Sequence, residues 1–183
     1  FVEAASEATD MLVVAADGAE ICLFAVDAAA PGIVRSPRIG VDGGMLCEIR
    51  FSGVRVAAAQ RFATAQSLDA LLGQAVAETR LAIAAELAGL AGKALEITID
   101  YVRQRVQFGK PIASFQAIQH RLVDMWMQAE LACAAVRNAV EMRGRPASDR
   151  AAAVAVLAAK ARAGDAAAMI CRNAIHLHGA MGY

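Results

Sequence analysis

Arg103, Arg105, Gln107, Phe108, Ser114 and Gln116 fall together in the stretch RQRVQFGKPIASFQ, between two long alanine-rich segments. A guanidinium pairs with phosphate oxygens in a fixed geometry, glutamine amides both donate and accept hydrogen bonds, and a phenyl ring offers a face to a planar group. Arg105 stands at the end of one helical pattern, where it complements the negative end of the helix dipole or reaches outward to an anion. Nine residues on, at Ser114, a second helical pattern begins. The unpaired N–H groups of its first turn attract anions. These residues describe a helix–helix corner suited to a phosphate beside a planar ring. The competing reading has solvated arginines, a core Phe108 and a Ser114 that only caps the helix.

Other reactive side chains are less organised. Cys22, Cys47, Cys133 and Cys171 are scattered without a C-x-x-C pair, and buried, reduced thiols are expected. His176 and His178 are two residues apart and diverge on a helix, with no carboxylate or cysteine nearby, so no metal site is expected.

The elements that position the corner change character along the chain. Up to about Phe62 the texture is β. Met11–Ala15 and Ile21–Val26 are short apolar runs joined by Ala16-Asp17-Gly18-Ala19-Glu20, a hairpin turn. Ile33–Val41 reads as extended, Asp42-Gly43-Gly44 turns the chain, and Cys47–Val56 alternates with Cys47, Ile49 and Phe51 on one face. After Ser67 the period becomes helical. Leu81, Ala84, Ala88, Ala91, Leu95 and Val102 define a helix over 68–104, and Ile118, Leu122, Met125 and Leu131 mark a second over 115–143, capped by Ser114. Gly144-Arg145-Pro146 ends it, and Ser148 or Asp149 caps a third helix running to about 177. The pattern predicts an α+β protein: part of an antiparallel β-domain over 1–66, then an antiparallel helical bundle over 67–183. Phe1 falls inside a strand pattern and Tyr183 directly follows a glycine turn, so the sequence reads as a fragment of a longer polypeptide.

Composition limits the function classes. The 183 residues are 58% hydrophobic, with 18 basic and 18 acidic side chains. Zero net charge argues against a general electrostatic nucleic-acid or membrane binder. No apolar run approaches the ~18 residues that a spanning helix needs. A cytoplasmic protein is the expectation.

Two segments, YVRQRVQFGKPIASFQAIQHRLVDM (101–125) and AIHLHGAMGY (174–183), resemble the C-terminal helical domain of the acyl-CoA dehydrogenase family. FVEAASEATDMLVVA, LFAVDAAAPGI and IRFSGVRVAAAQ resemble its middle β-domain, in the same order and at compatible spacing. The resemblance covers nearly the whole chain. It implies a flavoprotein that oxidises an acyl-CoA thioester to the 2,3-enoyl-CoA, as in fatty-acid β-oxidation. A carboxylate removes the α-proton while hydride leaves the β-carbon for FAD. An electron-transferring flavoprotein then accepts the electrons, and the protein is expected as a homo-oligomer (dimer or tetramer) or a heteromer with a related subunit. By this match Arg105 corresponds to the arginine that binds the FAD pyrophosphate of a neighbouring subunit. Gln107, Phe108 and Gln116 take companion positions, and His176, Gly179 and Ala180 lie in the segment that approaches the same cofactor. Arg80 matches an arginine near the reaction site.

The chain also departs from the family pattern. The usual catalytic glutamate position lies beyond Tyr183, and the alternative position, immediately before Arg80, is Thr79. Glu78 is adjacent but turned ~100° away. No catalytic base is therefore assigned. Glu3 stands where a threonine or serine near the flavin is common, and His176 and Ala180 replace a glutamine and a glycine. Three further readings compete with an active dehydrogenase: a non-catalytic subunit lending Arg105 and Gln116 to a partner's FAD, an oxidase or flavin monooxygenase on the same fold, and a purely structural bundle.

Overall fold

The computed structural model describes residues 2–3, 5–41, 43–63, 65–144 and 149–182, with the side chains of 62, 63, 65–67 and 149 set aside. The chain divides into two compact units, Phe1–Gly73 and Gln74–Tyr183.

The first unit is built from two antiparallel three-stranded sheets. One orders β1 (Val2–Glu3), β5 (Met45–Phe51) and β4 (Ile33–Ile39), and the other orders β2 (Asp10–Asp17), β3 (Glu20–Asp27) and β6 (Arg61–Ala63). β2 and β3 pair from Asp10↔Asp27 to Asp17↔Glu20, leaving Gly18-Ala19 as a two-residue loop. Gly18 has φ 63, as a II′ turn requires at its first central position. β5 stops at Phe51, short of the Val56 expected from alternation, because Gly53 takes φ 63 and turns the chain. Its inward face grades from buried Cys47 through half-buried Ile49 to exposed Phe51. Met11, Cys22, Leu23, Val26 and Cys47 are buried. Arg35 Nη1 gathers the carbonyls of Ala5, Ser6 and Ala8 at 3.4, 3.3 and 3.0 Å, tying that loop to β4. Arg61 links β6 to β3, donating to Glu20 Oε2 and Cys22 Sγ, each at 2.7 Å.

The second unit is helical. α1 (Ala65–Gln104) begins in the first unit and runs into the second, followed by α2 (Gln116–Gly144) and α3 (Asp149–His178). One cluster joins Ala84 and Ala88 of α1 to Ala132 and Ala139 of α2 and to Ala155, Val156, Ala159, Ala163 and Ala166 of α3. A second joins Ala91, Leu95 and Val102 to Met125 and Ala129 and to Ala167, Ile170 and Leu177. The middle of α1 thus meets the second half of α2 and the first half of α3, while its end meets the first half of α2 and the end of α3, so the bundle runs up, down, up. Alanine at most contact positions lets the helix backbones approach closely, and it carries the highest intrinsic helix propensity.

Some expectations are corrected. Leu131 is 51% exposed, since the buried stripe of α2 follows Met125, Ala129, Ala132 and Ala139 instead. Ser114 does not cap α2: its hydroxyl donates to Pro111 O at 2.8 Å within a short 3-10 turn, Ile112–Ser114, and Phe115 O accepts from Ile118 N and Gln119 N. All four cysteines are free, but Cys133 is only half-buried and Cys171 is exposed, because the inward face of that turn of α3 is taken by Ala167 and Ile170. The Asp42 turn position, the Arg145-Pro146 break, and the Ser148 or Asp149 capping side chains fall outside the described residues.

Candidate functional site

The corner between α1 and α2 is a β-hairpin, not a simple turn. α1 closes with Arg105 N donating to Tyr101 O at 2.8 Å. β7 (Val106–Gln107) then pairs with β8 (Lys110–Pro111) in the register Val106↔Pro111 and Gln107↔Lys110. Ile112 N donates to Arg105 O at 2.8 Å and closes the base. The two loop residues both have positive φ, Phe108 at 55 and Gly109 at 76, the signature of a type I′ turn. Glycine adopts this conformation freely, whereas phenylalanine is held there against steric preference. The hairpin was not legible because the usual Asn-Gly is replaced by Phe-Gly. Its consequence is that the Phe108 ring stands 91% exposed, touching Phe115 edge-on at 6.0 Å between centroids. Lys110 Nζ lies 4.4 Å from the centroid of the Phe115 ring.

The end of α3 forms the facing wall. His178 is its last residue, and Gly179, at φ 60, reverses the backbone into a 3-10 turn, Gly179–Gly182. A left-handed residue at this point is the common way to end a helix, and glycine adopts it without a Cβ penalty. Gly182 lies against the backbone of Ile175, where a Cβ would come within 2.6 Å of the carbonyl oxygen. Tyr101 of α1 joins the two walls. Its ring stacks on His178 at 4.2 Å between centroids, and its hydroxyl donates to His178 O at 3.3 Å.

Between these walls lies a hollow of about 360 Å³ that brings together Arg105, Gln107, His176, Gly179 and Ala180, residues far apart in sequence. Phe108 and Gln116 do not line it. Phe108 projects from the hairpin tip, and Gln116 is the exposed first residue of α2. The start of α2, expected to contribute anion-attracting N–H groups, is also absent from the lining because the hairpin and the Ile112–Ser114 turn intervene. The helix ends that do face the hollow are the C-termini of α1 and α3, which carry partial negative charge. The positive charge comes from Arg105, which is exposed and has no carboxylate partner among the described residues. An unpaired guanidinium beside an exposed amide and a glycine turn fits a phosphate-bearing ligand, and therefore fits the pyrophosphate of FAD. Sequence reasoning missed Tyr101 and His178, both of which line the same hollow. The ring pairing at Tyr101 and His178 depends on a contact 77 residues apart in sequence.

The positions near Arg80 carry no free base. Thr79 Oγ1 donates to Ala75 O at 2.9 Å, and the carboxylate of Glu78 is engaged by Arg143. In the first unit, Glu3 lies on β1 and borders, with Asp10, Met11 and Phe51, a separate hollow of about 560 Å³.

Comparison with known proteins places this geometry in a family. Residues 70–183 match the C-terminal domain of acyl-CoA dehydrogenases. A Bacillus subtilis protein named "Probable acyl-CoA dehydrogenase YngJ" is 37% identical over 158 residues, covering 84% of this chain and 40% of the relative. The ChsE4-ChsE5 complex from Mycobacterium tuberculosis superposes with a TM-score of 0.81 at 27% identity, over 96% of this chain and 46% of that one. Butyryl-CoA dehydrogenase from Megasphaera elsdenii gives a TM-score of 0.81, also at 27% identity, over 95% and 46%. The chain spans less than half the length of these relatives. The family match, the α+β fold and the shared order of elements agree: this chain belongs to the acyl-CoA dehydrogenase family.

Proposed function

We propose that the chain forms part of an FAD-dependent acyl-CoA dehydrogenase that converts an acyl-CoA thioester to the 2,3-enoyl-CoA. The observation that carries this reading is the hollow in which unpaired Arg105 meets Gln107 and the His176–Ala180 segment. FAD, when bound, supplies the hydride acceptor for the dehydrogenation. Within this chain, Arg105 neutralises pyrophosphate charge, Gln107 and His176 offer hydrogen bonds to the ligand, and the Gly179 turn lets backbone approach it. Phe108 and Gln116, outside the hollow, are assigned to the flanks of the same ligand. We assign no proton-abstracting carboxylate among the described residues: position 79 is a threonine bonded to Ala75 O, and Glu78 is paired with Arg143. Acyl-CoA is the proposed substrate, an electron-transferring flavoprotein the electron acceptor, and a homo-oligomer in the cytoplasm the working form. No described helix is long and apolar enough to cross a membrane.

The test is to purify the gene product carrying this chain, record its flavin absorbance, and add acyl-CoA. Bound flavin that bleaches with the thioester supports the reading. No flavin, or flavin held equally well by Arg105→Gln, refutes it. A second reading, a subunit lending Arg105 to a partner's FAD, is favoured by the bonded state of Thr79 and Glu78 and by the likeness to the ChsE4-ChsE5 complex. It predicts flavin and bleaching only after a related subunit is co-purified.

A further inference from the structure

The hollow presents a physical difficulty for an anionic ligand. The C-terminal ends of α1 and α3 border it, and a helix C-terminus carries a partial charge of about −0.5. One arginine must overcome both. The structure shows how the end of α3 is blunted. Tyr101 Oη donates to the carbonyl of His178 at 3.3 Å, and His178 Nδ1 lies 2.8 Å from the carbonyl of Ala174. A carbonyl has no proton to give, so Nδ1 carries the hydrogen and donates it. The final carbonyl of α3 thereby gains a side-chain donor from α1, while the Ala174 bond, one turn earlier, fixes the His178 ring against its own helix. The stack of the two rings, at 4.2 Å and 24° between planes, holds both donors in place. His178 is half-buried, and Tyr101 joins it to the segment that carries Arg105 four residues later.

We infer that Tyr101 and His178 are a positioning pair for the phosphate-bearing ligand: Tyr101 engages the final carbonyl of α3, and the His178 ring, anchored on the Ala174 carbonyl, holds Tyr101 there, so that the charge of Arg105 governs the hollow. This rests on the FAD reading above and extends it to two residues to which the family match assigns no role. Neither residue needs to touch the ligand. Their effect is electrostatic and scales with ligand charge, whereas simple loss of shape weakens every ligand alike.

The test uses ADP and AMP as probes in calorimetric titrations of the gene product carrying this chain. Tyr101→Phe retains the ring stack and removes the hydroxyl, and His178→Phe retains a ring and removes the Nδ1 donor. Each variant is expected to weaken ADP binding about two- to fivefold, the range of a charge–helix-end interaction, with a smaller loss for AMP, and to lower the melting temperature by a few degrees through the lost hydrogen bond. Unchanged ADP affinity in both variants, or equal losses for ADP and AMP, overturns the inference. Arg105→Gln separates it from the parent reading. If Arg105→Gln loses ADP while both other variants keep it, the positioning pair alone fails. If the unsubstituted protein binds no ADP, or Arg105→Gln binds it normally, the FAD reading fails and this inference falls with it.

Discussion

Gly182→Ala tests the geometry of the hollow through packing alone. A Cβ at Gly182 would stand 2.6 Å from the Ile175 carbonyl oxygen, 3.0 Å from its Cα and 3.1 Å from its carbonyl carbon. All three are backbone atoms, so no side-chain rotation relieves the contact. Ordinary contact begins near 3.4 Å, so the Gly179–Gly182 turn must move by about 0.8 Å or α3 must bend. Overpacking of this kind costs about 1–3 kcal/mol. For a unit of this size that corresponds to a fall of about 4–13 °C in melting temperature. The same movement displaces Ala180 and Met181, which line the hollow, so ADP affinity falls as well. Gly89→Ala is the control: it lies exposed in α1 with nothing within 4 Å of the new Cβ. There alanine is expected to stabilise by about 0.5–1 kcal/mol through helix propensity. Thermal unfolding followed by circular dichroism compares the two. A Gly182→Ala protein that melts at or above the parent, or moves in the same direction as Gly89→Ala, refutes the proposed packing.

Three other outcomes follow from the same structure. Phe108→Asn places Asn-Gly in the type I′ loop and is expected to raise stability by about 0.5–1 kcal/mol by relieving the positive φ, read by thermal melting; FAD affinity falls if the exposed ring contributes to the ligand. Ile170→Ala, in a fully buried position between all three helices, is expected to cost about 2–5 kcal/mol in denaturant unfolding. The Glu48 carboxyl is held below the usual glutamate range by the hydrogen bond and charge of Arg50, with a further contribution from Arg38. Because its folded value is depressed, this contribution is present at neutral pH and disappears as pH falls through that lowered value; a carboxyl NMR titration of Arg50→Ala is expected to move the midpoint back up.

Much of the helical part was legible because a packed helix repeats its inward face every three or four residues. Ala84, Ala88, Ala91, Leu95 and Val102 were all marked by that period and all are buried. The period misled at Leu131, where the larger apolar residue faces outward and alanines fill the contact. Local patterns reward hydrophobicity, whereas close helix packing rewards small volume. Boundaries set by turn chemistry were less legible. Ser114 has the right identity for a cap, but the hairpin before it diverts its hydroxyl to Pro111.

By itself the sequence determined the α+β order, the three helices and the residue types able to meet a phosphate, because these follow from short-range periodicity and side-chain chemistry. Only the tertiary structure decided which of those residues share a hollow. Arg105 and Gln107 join His176, Gly179 and Ala180 because α1 and α3 run the same way in the bundle and end side by side. Phe108 and Gln116, though close to Arg105 in sequence, are carried away by the hairpin and by the start of α2. Tyr101 and His178 gain their relation entirely from that packing, since no local rule pairs a ring in one helix with the final carbonyl of another.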